Sequence, residues 1–166
     1  HELLPALHET RVDFAFVDAR LVQSRQQLMT AIVQAIVGAM RRDPKRPDAE
    51  VGLKTPSIHS DLLWTLHSNN NIAEALRRFG VSRTTRTLIL VRVAPPLDAG
   101  ELVQHMTQLV DGTLQTRGLS LPSPALAWSE LGTAYKIQDT PAFQHPDTSQ
   151  VDALICSMVA SKYVGA

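Results

Sequence analysis

The sequence predicts one α/β domain in which a small mixed or antiparallel sheet packs against four or five helices. Three observations lead there. Short runs rich in β-branched, aliphatic and aromatic residues have the length and composition of strands. Apolar residues recur at helical spacing in longer stretches bounded by capping residues. And 166 residues at 44% hydrophobic content are enough for a single domain with a core of its own.

In residues 12–17 (VDFAFV), Val12, Phe14 and Phe16 alternate with Asp13 and Ala15, the pattern of a half-buried strand. Asp18-Ala19-Arg20 then turns the chain. Ser24 with Gln27 three residues on is a capping-box start, and Leu28, Met29, Ile32, Val33, Ile36, Val37 and Met40 predict a helix with a broad inward face. It should end near Arg41, because Asp43-Pro44 and Pro47 break it; the polar stretch through Val51 predicts a loop.

Residues 61–66 (DLLWTL) read as a second strand and 88–93 (LILVRV) as a third, apolar enough on both faces to be central. Between them, Asn71 and Glu74 form an N-cap pair, and Ile72, Ala75, Leu76 and Phe79 follow a helical stripe. Gly80 suits the left-handed position after that helix, with Val81 contacting Leu76 in a Schellman ending. Asp98 with Glu101 opens a helix carrying Leu102, Val103, Met106, Leu109 and Val110, closed by Gly112. Residues 119–124 are a Pro-containing connector, and Pro124 is placed at the first turn of a short helix to about Tyr135, against which Gly132 counts. Residues 140–148 read as a loop; Ser149 and Asp152 start a last helix with Val151, Leu154, Ile155, Met158 and Val159 inward.

Sixteen basic and sixteen acidic residues cancel, so overall charge gives no reason to expect a nucleic-acid, membrane or acidic partner. The single cysteine, Cys156, rules out an internal disulfide and reads as a small apolar helix residue. No apolar run approaches the ~18 residues of a membrane span and no leader opens the chain, which predicts the cytoplasm and nucleus and no membrane partner. His1 in place of Met leads us to expect a processed or truncated start.

Among six histidines, His59 and His67 are the closest pair that one element could hold. On an extended segment they would lie roughly 26 Å apart at ~3.3 Å per residue, too far to share an ion. No zinc, phosphate-loop or nucleophile-elbow motif occurs, so no catalytic residue, metal or cofactor is predicted. The competing possibilities are a small enzyme whose site is assembled from distant residues such as His59, Asp61 and His105, and a purely structural interaction module without RNA contact.

Local charge is asymmetric. Residues 75–97 contain no Asp or Glu but carry Arg77, Arg78, Arg83, Arg86 and Arg92. Arg77 and Arg78 lie off the apolar stripe, while Arg83 and Arg86 fall in the turn before the third strand. An ordinary solvated face is one reading and a phosphate-contacting patch the other.

Residues 60–81 (SDLLWTLHSNNNIAEALRRFGV) resemble the signature of the PRPK-binding protein family of the KEOPS/EKC complex, close to (S/T)E(I/L)(I/L)xxLSPNNNIxEALxxFGI. Asn69, Asn70, Asn71, Ile72, Glu74, Ala75, Leu76, Phe79 and Gly80 match in register; His67-Ser68 stands where the family has Ser-Pro. Residues 14–22 (FAFVDARLV), Lys54-Thr55, 134–137 (AYKI) and 152–156 (DALIC) echo further family segments in order.

The resemblance implies a small protein without catalysis that binds the atypical kinase subunit of KEOPS, and through it the threonylcarbamoyltransferase subunit. It also implies contact with the tRNA 3′ CCA end, in support of threonylcarbamoyladenosine (t6A) at tRNA position 37, and a link to telomere upkeep. The kinase would dock on an apolar helical surface. Lys54, Arg77, Arg78, Arg83 and Arg86 then become the expected phosphate contacts, with Asn70-Asn71 serving as a helix cap. Family members carry a strand and helix upstream of the stretch at Phe14; few residues precede it here, so an N-terminal strand is expected to be lacking.

Overall fold

The computed structural model describes residues 14–43, 46–50, 52–115 and 121–164. Val12, Asp13, and the question of a strand upstream of them lie outside the described residues. Strand β1 (Ala15–Asp18) pairs antiparallel with β4 (Leu88–Val91), Ala15 opposite Val91 and Asp18 opposite Leu88. All four β1 residues are buried rather than half-buried, and a 3-10 turn (Ala19–Leu21) follows. Among the described residues β1 is the only strand paired with β4, so the central position expected of LILVRV is not observed. Ile89 and Val91 are buried while Leu88 and Leu90 are half-buried, which is how an edge position accommodates a run apolar on both faces.

Helix α1 (Arg25–Met40) packs against α2 (Ile58–Leu66) and against α7 (Thr148–Ala160), and α2 against β1 and α3 (Ile72–Phe79). The remaining helices are α4 (Ala99–Leu109), α5 (Trp128–Tyr135) and α6 (Pro141–Gln144). The α/β class holds, with seven helices among the described residues in place of four or five.

One added helix replaces a predicted strand. Residues 61–66 belong to α2, whose start is a reciprocal box: Ser57 Oγ accepts from Ser60 N at 3.1 Å and Ser60 Oγ from Ser57 N at 3.2 Å. Every residue from 61 to 66 is buried, so no polar face remains to display a helical period. His59 and His67 therefore do not lie along an extended segment. Within the loop expected from 43 to 51, the described residues instead form two strands, β2 (Arg42–Asp43) pairing antiparallel with β3 (Arg46–Glu50). Backbone pairing needs no apolar face, and the segment's polarity hid it.

Ser24 Oγ caps helix α1, accepting from Gln27 N at 2.9 Å, but Gln27 Oε1 accepts from Gln23 N instead of closing the predicted reciprocal box, and the helix's inward face is turned about its axis. Gln27, Leu28, Ala31, Ala35 and Gly38 are buried, while Met29, Val33, Val37 and Met40 are 47, 50, 43 and 75% exposed. Small residues let α1 approach its neighbours closely; a Cβ at Gly38 would run into the Tyr163 ring.

The Schellman ending is also absent. Gly80 has φ −77° and ψ 167°, extended backbone, and Val17 bridges to it. A Cβ there would collide with the Leu76 carbonyl, so glycine answers a close approach rather than a left-handed turn. Helix α4 ends at Leu109 with Val110 as cap, ahead of Gly112, and none of its residues is buried. Pro124 is not in the first turn of α5, because residues 123–126 close a separate turn, Leu126 N donating to Ser123 O at 2.9 Å. The 140–148 loop contains α6. Helix α7 starts on an Asp147 cap, freeing Asp152 to accept from Ser24 Oγ at 2.5 Å. Leu154 and Met158 turn outward from it.

A polar chain crosses the core. Gln27 Oε1 accepts from Gln23 N, Gln27 Nε2 donates to Leu21 O and to Tyr135 Oη, and Tyr135 donates in turn to Leu66 O. Burial pushes the Tyr135 phenol well above its ordinary range. Cys156, buried on α7, has its thiol pushed up to about 11 by burial and by Asp152, which leaves it an inert packing residue.

Candidate functional site

The matched signature forms the turn between α2 and α3, and each asparagine in it has a local task. Asn69 N donates to His67 Nδ1 at 3.1 Å, Asn71 N to Asn69 Oδ1 at 2.9 Å, and Glu74 N to Asn71 Oδ1 at 3.0 Å. The last of these caps α3, as the spacing predicts. Asn70 O accepts from Trp64 Nε1 at 3.4 Å. Ile72 and Leu76 remain partly exposed, whereas Ala75 and Phe79 are buried.

Beneath the turn lies Lys162, only 6% exposed. Its Nζ donates to His67 O at 2.6 Å and to Asn69 O, and stands 4.4 Å from the Trp64 ring centroid. Burial pushes the Lys162 ammonium down to about 8. His67, 2% exposed, is likewise held below the ordinary imidazole range, first by burial. With Nδ1 accepting, its proton sits on Nε2, which has no hydrogen-bond partner among the described residues; the ring meets Phe79 edge-on at 6.0 Å.

Asp61 ties the Lys54-Thr55 segment to the same framework. Its Oδ1 accepts from Lys54 N at 2.9 Å and Thr55 N at 2.8 Å, and its Oδ2 from the Tyr163 hydroxyl. Both oxygens are thus structurally engaged, His59 Nε2 accepts from Val93 N at 3.1 Å, and His105 sits on the exposed α4. These roles are architectural for Asp61 and His59.

The five expected phosphate contacts divide into three groups. Arg78 Nε is 2.8 Å from Glu74 Oε1, and Arg77, 71% exposed at its side chain, reaches the same oxygen at 3.8 Å. The Arg78 and Asn69 hydrogen bonds hold the Glu74 carboxyl below its usual range. Arg83 and Arg86 are exposed on the loop after α3, which is pinned to β1 by a 2.6 Å bond from Thr85 Oγ1 to Asp18 Oδ2. Lys54 is exposed on the loop ahead of α2. Lys54, Arg83 and Arg86 have no carboxylate within ion-pair distance among the described residues. Arg92 donates to Pro95 O at 2.6 Å.

Sequence reasoning missed Lys162, Tyr163 and the anchoring role of Asp61. The one available signal was a lone lysine in the otherwise apolar and small stretch around 158–166.

A second surface is apolar. Met29, Val33, Val37 and Met40 recur at i, i+4, i+8 and i+11 on the side of α1 opposite its buried residues. No helix among the described residues is long and apolar enough to cross a membrane.

A relative from Gibberella zeae named EKC/KEOPS complex subunit CGI121 is 36% identical over 107 residues, covering 60% of this chain and 50% of its own length. One of the same name from Aspergillus terreus is 33% identical over 103 residues, 61% of this chain and 48% of its own. The chain spans about half the length of these two curated relatives. A third, from Cryptococcus neoformans var. neoformans, is 30% identical over 179 aligned positions, 92% of this chain and 77% of its own. The family model described as kinase binding protein CGI-121 matches residues 1–163, and the chain belongs to that family.

Proposed function

We propose that this chain is a non-catalytic subunit of an EKC/KEOPS assembly that binds the atypical kinase subunit through the outward face of α1. The observation that carries the docking surface is the stripe Met29, Val33, Val37 and Met40, apolar and exposed on a helix whose opposite side already fills the core. The relatives' names supply the assembly and the family description supplies the kinase. Through the kinase the chain meets the threonylcarbamoyltransferase subunit. Lys54, Arg77, Arg78, Arg83 and Arg86 contact the tRNA 3′ CCA end in support of t6A formation, in the cytoplasm and nucleus, with telomere upkeep a further outcome of the assembly.

The docking surface is tested by Val33→Asp with Val37→Asp. Capture of the kinase subunit should be lost while the melting temperature stays put, because these side chains lie outside the core; retained capture sinks the surface. For RNA, Arg77→Glu with Arg83→Glu and Arg86→Glu should weaken tRNA binding and flatten its log-log salt dependence by about 2, at roughly 0.7 per single-strand phosphate contact. An unchanged slope removes the tRNA contact from the proposal.

A further inference from the structure

Lys162 is buried, yet no carboxylate lies within ion-pair distance of it among the described residues. A buried ammonium without a counter-ion is costly, so its surroundings must supply compensation. They do so through two main-chain carbonyls, His67 O and Asn69 O, and the face of Trp64. Those carbonyls lie on either side of Ser68, and Lys162 lies just past the end of α7, so a single side chain far along the sequence closes the backbone leading into the 69–71 turn.

The contacts continue outward. Asn69 Nδ2 donates to Glu74 Oε2 at 3.4 Å, and Glu74 Oε1 holds Arg78 at 2.8 Å and Arg77 at 3.8 Å. Trp64, packed edge-on against Tyr163 at 5.2 Å, braces Asn70 O from the same side. We propose that Lys162 is a positioning residue for RNA contact: it fixes Asn69, Asn69 and the α3 cap fix Glu74, and Glu74 sets the directions of Arg77 and Arg78. This rests on the tRNA-end reading above. A turn of three asparagines has many conformations when free, and fixing it beforehand removes that ordering cost from binding.

The test uses the full chain. Lys162→Met should raise amide exchange at Asn69 and Asn71 about tenfold or more while Ala31 and Ile155 stay protected, with Lys162→Arg restoring part of the protection. Affinity for tRNA should fall about tenfold with capture of the kinase subunit unchanged. Unchanged exchange at 69–71, or a rise spread evenly over the fold, overturns the proposal, as does full tRNA affinity in a variant whose turn has loosened. If Lys162→Met does not fold, Lys162→Gln, which keeps two donors without the charge, is read by the same criteria. Should the wild-type chain not bind tRNA, the reading above falls by itself; exchange at 69–71 then decides whether Lys162 sets the turn.

Discussion

The Tyr163 hydroxyl donates to Asp61 Oδ2 at 2.5 Å, joining the segment after the last helix to the first turn of α2. Asp61 passes the constraint to Lys54 N and Thr55 N, and the Tyr163 ring packs between Gly38 of α1 and Trp64 of α2. Arg41 stacks over the same ring at 5.4 Å. One tyrosine thus aligns α1, α2 and the Lys54 loop.

Tyr163→Phe keeps the ring in place and leaves one oxygen of buried Asp61 without its donor. The expected loss is about 1–3 kcal/mol in urea unfolding. A loss no larger than that of an exposed substitution such as Gln104→Ala would show that the bond contributes nothing.

Tyr135→Phe breaks the polar chain in the core, stranding Leu66 O and one proton of Gln27 Nε2. It should cost about 1–3 kcal/mol, and adding Gln27→Leu should cost less than the sum of the two single changes. Calorimetry on the four proteins of the cycle measures the coupling.

Gly80→Ala should destabilise by about 1–3 kcal/mol through overpacking against the Leu76 carbonyl, although alanine adopts φ −77° without strain. Gly112→Ala, whose added Cβ meets only Val110 Cγ1 at an ordinary 3.6 Å, should stay within about 0.5 kcal/mol. Equal denaturation midpoints for the two variants would refute the close-approach argument.

Stability should rise with pH above 8. The folded state releases the Lys162 proton near 8 while the unfolded chain keeps it to the ordinary value of 10.5, so the unfolded state binds more protons across that interval. Below pH 8 both states are protonated and the group adds no slope. Cys156 acts oppositely from its ordinary 9 up to about 11, which leaves pH 8–9 as the clean window. Lys162→Met should flatten the unfolding free energy there; the same rise in that variant would assign the slope to another group.

Local chemistry was readable from the sequence wherever the partner lies within a few residues. Asn71 with Glu74 and Ser24 with Gln27 announce their caps because an N-cap bond spans three positions. Burial on all sides erased the helical period of α2, and residue size rather than hydrophobicity chose the inward side of α1, where Ala31, Ala35 and Gly38 displaced Val33 and Val37. Lys162 and Tyr163 were illegible because the residues they hold lie far up the chain, and no local pattern encodes such a meeting.

Helix α4 buries none of its 11 residues, and helices below roughly 12–15 residues are marginal alone in water. The Asp98 cap, accepting from Gly100 N at 2.8 Å, offsets part of that weakness. Folding therefore exerts almost no selection on Val103, Gln104 or His105. Sequence drift at these exposed positions is free as far as the described architecture is concerned, while half-buried Leu102, Met106 and Leu109 keep some packing constraint.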